Sequence, residues 1–437
     1  MSATRGAGRF DPRRYVEPRP RPWLIHALGS LVRHLVLPHA LRLRAFELPA
    51  ADRARLAAAV NPATAAFLGP NHPEFMTDWM IDKELSRLVS PLMAHWAAYE
   101  IVNVHPLAQR FWLANNLIAT APGGEGKSYS VRWACAGHGV LLHPEGSVSW
   151  HADHVGSLVS GIVDMAWDAC ATLAARGERR PVVTVPVVWK LCFETDVAGG
   201  LSREMAHMER VLGLPGGDAL VVEKRFAALQ IGLLAGRAAA LGLVVPGLSA
   251  TLPPHEYFTA QEAVTDAIRR RLAERYGPQT DEPSRLLHRL RRAVRERAAS
   301  DPDGARLDRR LLAEWTRLAG FPRAVYDTRT LAQEHIAENL KRTRALLFTR
   351  GARETLHNLI PRAVASRVAH VRVPEPVVVH ETHAATMAGG GDADRARQRL
   401  LDTHRERLAA TLAALVAELA PLTDRFRRPN PLHSRGA

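Results

Sequence analysis

The chain has 437 residues, 47% apolar, with a net charge of +14. That is ample material for a core and room for one large domain or two to three ordinary ones. Three cysteines without CxxC or zinc spacing argue against a disulfide scaffold or a zinc module.

The N-terminus, "MSATRGAGRFDPRRYVEPRPRP", reads as a charged arm rather than a signal peptide, because it has no apolar centre. No uninterrupted run of 18 apolar residues argues for a spanning helix. Two stretches, "PWLIHALGSLVRHLVLP" (22–38) and "FAALQIGLLAGRAAALGLVVPGL" (226–248), suit either a membrane surface or a buried helix. The basic excess is almost all arginine, the lysines being Lys83, Lys127, Lys190, Lys224 and Lys341. Such a balance attracts anions: phospholipid headgroups, coenzyme A phosphates or nucleic acid.

Along the first half, "AAFLG" (65–69), "HWAA" (95–98), "LIAT" (117–120), "GVLLH" (139–143) and "VVTVPVV" (182–188) read as strands. Helical patterns separate them: "DWMIDKELSRLV", "HPLAQRFWLANN", "SYSVRWACAG" and "GIVDMAWDACATLAARG". This alternation predicts an α/β fold, a mixed sheet flanked by helices. Beyond about residue 195 come Arg/Leu/Ala segments with apolar residues at helical spacing, such as "TAQEAVTDAIRRRLAERYG" and "RLDRRLLAEWTRLAG". Strand character returns at "HVRVPEPVVVH" (370–380), before a last amphipathic helix. The expected organisation is therefore an N-terminal arm and amphipathic helix (1–55), a first part of the α/β core (56–194), a large α-helical insertion (195–367), and a closing strand with a C-terminal helix (368–437). The basic helices past 260 lack interleaved aromatics, so no nucleic-acid partner is expected.

Two places carry chemistry. "AAFLGPNHP" puts His72 just past a strand end and before a helix, where α/β folds present reactive groups. A carboxylate on one nitrogen of such an imidazole would fix its tautomer and stabilise its cation. Asp78 and Glu74 are the local candidates. "GVLLHPEGSVSW" places Glu145, Gly146 and Ser147 directly after a second strand. A rival signal, "APGGEGKS" (Ala121–Ser128), fits a relaxed phosphate-loop pattern ending in Lys127 and Ser128, without its first glycine. "WHADH" (150–154) offers too few ligands at a telling spacing to assign a metal.

Taken in order, these stretches resemble the glycerophospholipid acyltransferase superfamily. Its Asn-His motif is similar to Asn71-His72, its Pro-Glu-Gly motif to Pro144-Glu145-Gly146-Ser147, and its Val-Pro-Val strand to "VTVPVV". The likeness covers about residues 40–192 and 368–420. It implies transfer of a fatty acyl group from acyl-CoA or acyl carrier protein to a hydroxyl of a glycerophospholipid-type acceptor. His72 would be the general base, oriented by Asp78. Asn71, Glu145, Gly146 and Ser147 would lie at the substrate, with Lys127 and Arg132 standing in for missing phosphate-binding arginines. No cofactor beyond the acyl donor is implied. The basic balance and the two apolar stretches suggest a cytoplasmic protein resting peripherally on the inner membrane face. Three departures stand out: five residues rather than four separate His72 from Asp78, Val148 replaces an arginine, and no arginine follows "LIAT". The alternatives are a phosphate-loop nucleotide binder and a catalytically inactive lipid-binding relative.

Overall fold

The computed structural model describes residues 11, 14–120, 124–146, 148–149, 153–217, 220–277, 283–348, 354, 357 and 362–434. Ten strands are found among them: β1 (Leu43–Glu47), β2 (Ala65–Pro70), β3 (Ala94–Ala97), β4 (Leu117–Ala119), β5 (Val140–Leu141), β6 (Val182–Phe193), β7 (Thr330–Leu331), β8 (Arg367–Arg372), β9 (Val377–Val378) and β10 (Arg428–Pro429). The main sheet runs β1-β8-β6-β2-β5-β3-β4, with β9 added to β6. β2 lies parallel to both β6 and β5, and β3 parallel to β5 and β4, whereas β9 is antiparallel to β6. The fold is thus α/β, with a mixed, mostly parallel sheet flanked by helices.

The chain divides into two compact units. The first comprises 1–149, 155–190 and 368–417; the second comprises 150–154, 191–367 and 418–437. In the first, parallel strands covered on both faces are apolar on both sides, and all six residues of β2 and residues 182–190 of β6 are buried. Phe67, Ile118, Val140 and Val182 pack there with Ile162, Met165 and Trp167 of the helix Gly161–Ala175 and with Leu400. In the second, helices bury Phe226, Leu234, Phe258, Trp315, Phe321 and Leu340 in one core, beside the small antiparallel pair of β7 and β10.

Some bounds differ from the sequence reading. Residues 43–47, assigned there to the N-terminal arm, form the edge strand β1. "HVRVPEPVVVH" is not one strand but two, β8 and β9, separated by a stretch containing Pro374 and Pro376; proline cannot donate to a ladder. Residues 418–437 group with the helical unit, not with the sheet. The apolar stretch after 222 is a core helix, Val222–Ala240, with Phe226, Leu229, Ile231, Leu233 and Leu234 buried. The 22–38 stretch is also helical. It begins with Pro22 at its first turn and widens over Val32–Ala40 into π-type turns around Pro38, which has no N–H to give.

Gly69, in the middle of the sheet, shows how tightly this unit is built. A Cβ there would come within 2.5 Å of His404 Nε2 and 2.7 Å of Ile162 Cδ1. His404, on the long helix Ala393–Thr423, is fully buried between Thr184 Oγ1 (3.0 Å from Nδ1) and the Gly69 carbonyl (3.3 Å from Nε2). Burial pushes its pKa down to about 4, so it is neutral. Gly69→Ala is expected to cost about 1–3 kcal/mol by overpacking, whereas Gly161→Ala, with nothing within 4 Å of its Cβ, should change stability little. Denaturant midpoints of the two variants check this.

Candidate active site

β2 ends at Pro70 between two parallel neighbours, and the chain must leave the sheet without abandoning its backbone polar groups. Side chains do this work. The Asn71 N–H continues the ladder to the Val187 carbonyl at 3.1 Å. Its side chain then mimics one more strand residue: Nδ2 donates to the Trp189 carbonyl and Oδ1 accepts from the Trp189 N–H, both at 2.9 Å. Asn71 was expected at the substrate. It is instead 1% exposed with its amide fully engaged, a latch between strand ends.

Glu145 is also used internally. Its Oε1 accepts the His72 N–H at 2.8 Å and its Oε2 accepts the Gly156 N–H at 2.9 Å. Burial pushes its carboxyl above the usual range, against the pull of those two N–H groups. The His72 carbonyl in turn accepts from the Ser149 N–H (2.8 Å) and hydroxyl (3.1 Å). Glu145, expected at the acceptor, thus ties the histidine turn to the loop after β5.

The chain between His72 and Asp78 turns at Met76. This residue takes φ 61°, ψ −35°, and the helix Thr77–Val89 starts directly after it. An L-residue with positive φ is strained, and here it returns Asp78 to the histidine. Asp78 Oδ2 bonds His72 Nδ1, while Oδ1 accepts the Glu74 N–H at 3.0 Å. Asp78 is 1% exposed, whereas the His72 side chain is 18% exposed. With Nδ1 committed, Nε2 is the nitrogen left for a reacting proton, and it has no partner among the described residues. Burial, then the neighbouring His143, hold His72 well below the usual imidazole range. It is neutral at pH 7, as a base must be.

Two residues that the sequence reading missed complete the site. His143, from the end of β5, lies flat against His72 with ring centroids 3.9 Å apart and planes 9° from parallel. Its Nδ1 faces the Asn71 and Pro70 carbonyls at 3.0 and 3.3 Å, and its Nε2 meets Asp82 Oδ2 at 2.9 Å. Burial opposes its charge, but Asp82 overrides this and raises His143 above the usual range. Asp82 stands one helical turn after Asp78. That i, i+4 spacing on one face was the available signal, together with a histidine directly before Pro-Glu-Gly. Deeper still, Asp82 Oδ1, Lys83 Nζ and both nitrogens of His95 are buried without a partner among the described residues. Burial lowers Lys83 to about 8.

His72, Asp78 and His143 offer ligand atoms within 4.8 Å of one another. Yet His72 Nδ1 is already committed to Asp78, and both nitrogens of His143 face acceptors. These donors are a poor fit to a cation, and we assign none.

The remaining expected residues are placed elsewhere. Gly146 (φ 69°) closes a turn whose N–H bonds the His143 carbonyl at 3.1 Å. Ser147 lies outside the described residues, as do 121–123 of the phosphate-loop pattern. Lys127 approaches Asp164 at 3.9 Å and lines a groove with Asp164, Asp168, Asp394 and Arg397. A groove holding three aspartates is poorly suited to a phosphate, so the anion-binding role expected of Lys127 has no support in its surroundings. Arg132 pairs with Glu17 at 2.8 Å. Neither cation has a described contact with His72.

The strain at Met76 is open to test. Met76→Ile, a β-branched residue at positive φ, should destabilise by about 1–3 kcal/mol. Met76→Gly, which accepts this backbone, should be close to neutral. Chemical unfolding of both variants measures the difference.

The sequence matches no protein-family model and no curated protein.

Proposed function

We propose that the protein is an O-acyltransferase that moves a fatty acyl group from a thioester to a hydroxyl of a glycerophospholipid-type acceptor. One observation carries this reading: Asp78 sits on Nδ1 of a neutral His72 at the carboxyl end of a central parallel strand, leaving Nε2 for the substrate. In the reaction, Nε2 takes the proton of the acceptor hydroxyl as its oxygen attacks the thioester carbonyl. A C–O bond forms and the C–S bond breaks. The proton then passes from the imidazolium to the departing thiolate of coenzyme A or acyl carrier protein. Asp78 stabilises the transient imidazolium, and no acyl-enzyme is required. Asn71 and Glu145 hold the turn that presents the base. The architecture proposed with this function is the acyltransferase-type sandwich, with residues 195–367 inserted between the neighbouring strands β6 and β8.

The proposed site of action is a membrane surface. No helix among the described residues is long and apolar enough to cross a membrane. The 22–40 segment buries Ile25, Gly29, Val32 and Leu37 while exposing Trp23, Leu31 and Leu35. An apolar row on the outside of a helical segment in a strongly basic chain suits an anionic lipid interface.

Purified protein given acyl-CoA and lysophospholipid or glycerol 3-phosphate should form the acylated product, and His72→Ala should abolish it. Asp78→Asn should cost about 10²–10⁴-fold, while Thr77→Ala costs far less. Binding of lipid without turnover, unchanged in His72→Ala, would support an inactive lipid-binding relative instead.

Attachment to membranes should be peripheral. High-salt or carbonate washing is expected to release the protein, because salt screens attraction between exposed charges and headgroups. Release by detergent alone would contradict this.

A further inference from the structure

The hydrogen bonds around the two stacked rings fix how many protons they hold. His143 Nδ1 faces the Asn71 and Pro70 carbonyls. Carbonyl oxygens only accept, so Nδ1 carries a hydrogen. His143 Nε2 faces a carboxylate oxygen of Asp82 at 2.9 Å. That contact is a hydrogen bond only with a second proton between Nε2 and Oδ2. His72 differs: its one hydrogen on Nδ1 satisfies Asp78, and Nε2 needs none. The lower pair therefore holds one proton more than the upper. Two imidazolium rings stacked 3.9 Å apart would repel strongly, so the rings titrate as a coupled unit.

We propose that His143, held by Asp82, is a positioning residue for His72. It carries the proton that the stack can hold at neutral pH, fixes the plane of the upper ring, and thereby keeps His72 neutral and aligned. His143 has no reacting atom to touch, since both its nitrogens are spent on acceptors. Other titratable groups act close by. Asp78 and Asp82 come from the helix Thr77–Val89, Glu145 from the loop after β5, Glu74, whose N–H bonds Asp78, from the turn, and His95 from β3, with Lys83 acting on it. Asp82 is the carboxylate bonded to the lower ring and Asp78 the one bonded to the upper. Lys83 and His143 both act against a charge on His95, which burial already keeps neutral. The raised His143 and lowered His72 agree with this arrangement, while burial raises Asp82 against the pull of His143.

This inference deepens the reading of His72 as a base, but its test does not depend on acyl transfer. Imidazole ¹⁵N shifts of the full-length protein, followed across pH, report each ring separately. At pH 7, His143 should show two protonated nitrogens, and His72 one protonated and one bare nitrogen. In His143→Gln, and in the near-isosteric Asp82→Asn, the His72 midpoint should rise by about one pH unit, a tenfold gain in proton affinity. A purely structural role would lower the melting temperature of both variants and leave that midpoint in place. A neutral His143 at pH 7 in the unmodified protein would overturn the proposal, and so would an unmoved His72 midpoint in Asp82→Asn, even if His143→Gln fails to fold. Activity without these shifts would sink the proposal and leave the acyltransferase reading standing. The shifts without activity would do the reverse.

Discussion

The site depends on how one buried strand is allowed to stop. β2 is hemmed in on both edges by parallel neighbours, so the residues leaving it have no water to satisfy them. Asn71 pairs with Trp189, the His72 N–H goes to Glu145, the His72 carbonyl goes to Ser149, and the Asn71 and Pro70 carbonyls go to His143. Each group left unpaired would cost about 1–3 kcal/mol. Satisfying them fixes the His72 backbone before any catalytic demand is considered. The residues that would be assigned to substrate from a motif are largely consumed in this closure.

A fixed histidine backbone places the remaining burden on the helix that follows. Five residues separate His72 from Asp78, and Pro73 disfavours a helical conformation at His72. The chain turns at a single strained residue, Met76, and the helix then starts at Thr77 with Asp78 bonded to the ring. Asp78 then lies in the first turn, the end of a helix where a carboxylate is favourable. The strain is local, and its return is a second bond to Asp78 from the Glu74 N–H.

Much of this was legible in the sequence, and the failures have physical causes. Strand–helix alternation located β2 to β6, because apolar runs flanked by turn residues report buried parallel strands directly. His72 and Asp78 were legible because both lie in one short segment. His143 and Asp82 were not, since their meeting joins residues 61 apart through a sheet register that local pattern does not encode. Asn71 and Glu145 stood out as substrate contacts, and their polar atoms bond backbone groups; a motif marks a residue without saying whether its polar atoms face inward. Lys127 was assigned to an anion by its glycine-rich context, while the charge it meets, Asp164, comes from a different helix.

The tandem arrangement follows from two repeat distances that nearly match. Neighbouring strands in a sheet are about 4.8 Å apart, and one helical turn rises about 5.4 Å. A helix crossing the ends of two adjacent strands therefore offers successive turns to successive strand ends. His72, just past the end of β2, meets Asp78; His143, just past the end of its neighbour β5, meets Asp82. The rings use different edges: Nδ1 on His72 and Nε2 on His143. Their centroids lie 3.9 Å apart with the planes 9° from parallel, while each ring keeps its own carboxylate. The two pairs are chemically unequal, because only the lower ring has its second nitrogen against backbone carbonyls. The upper ring is left with Nε2, which has no partner among the described residues, while both nitrogens of the lower ring face acceptors.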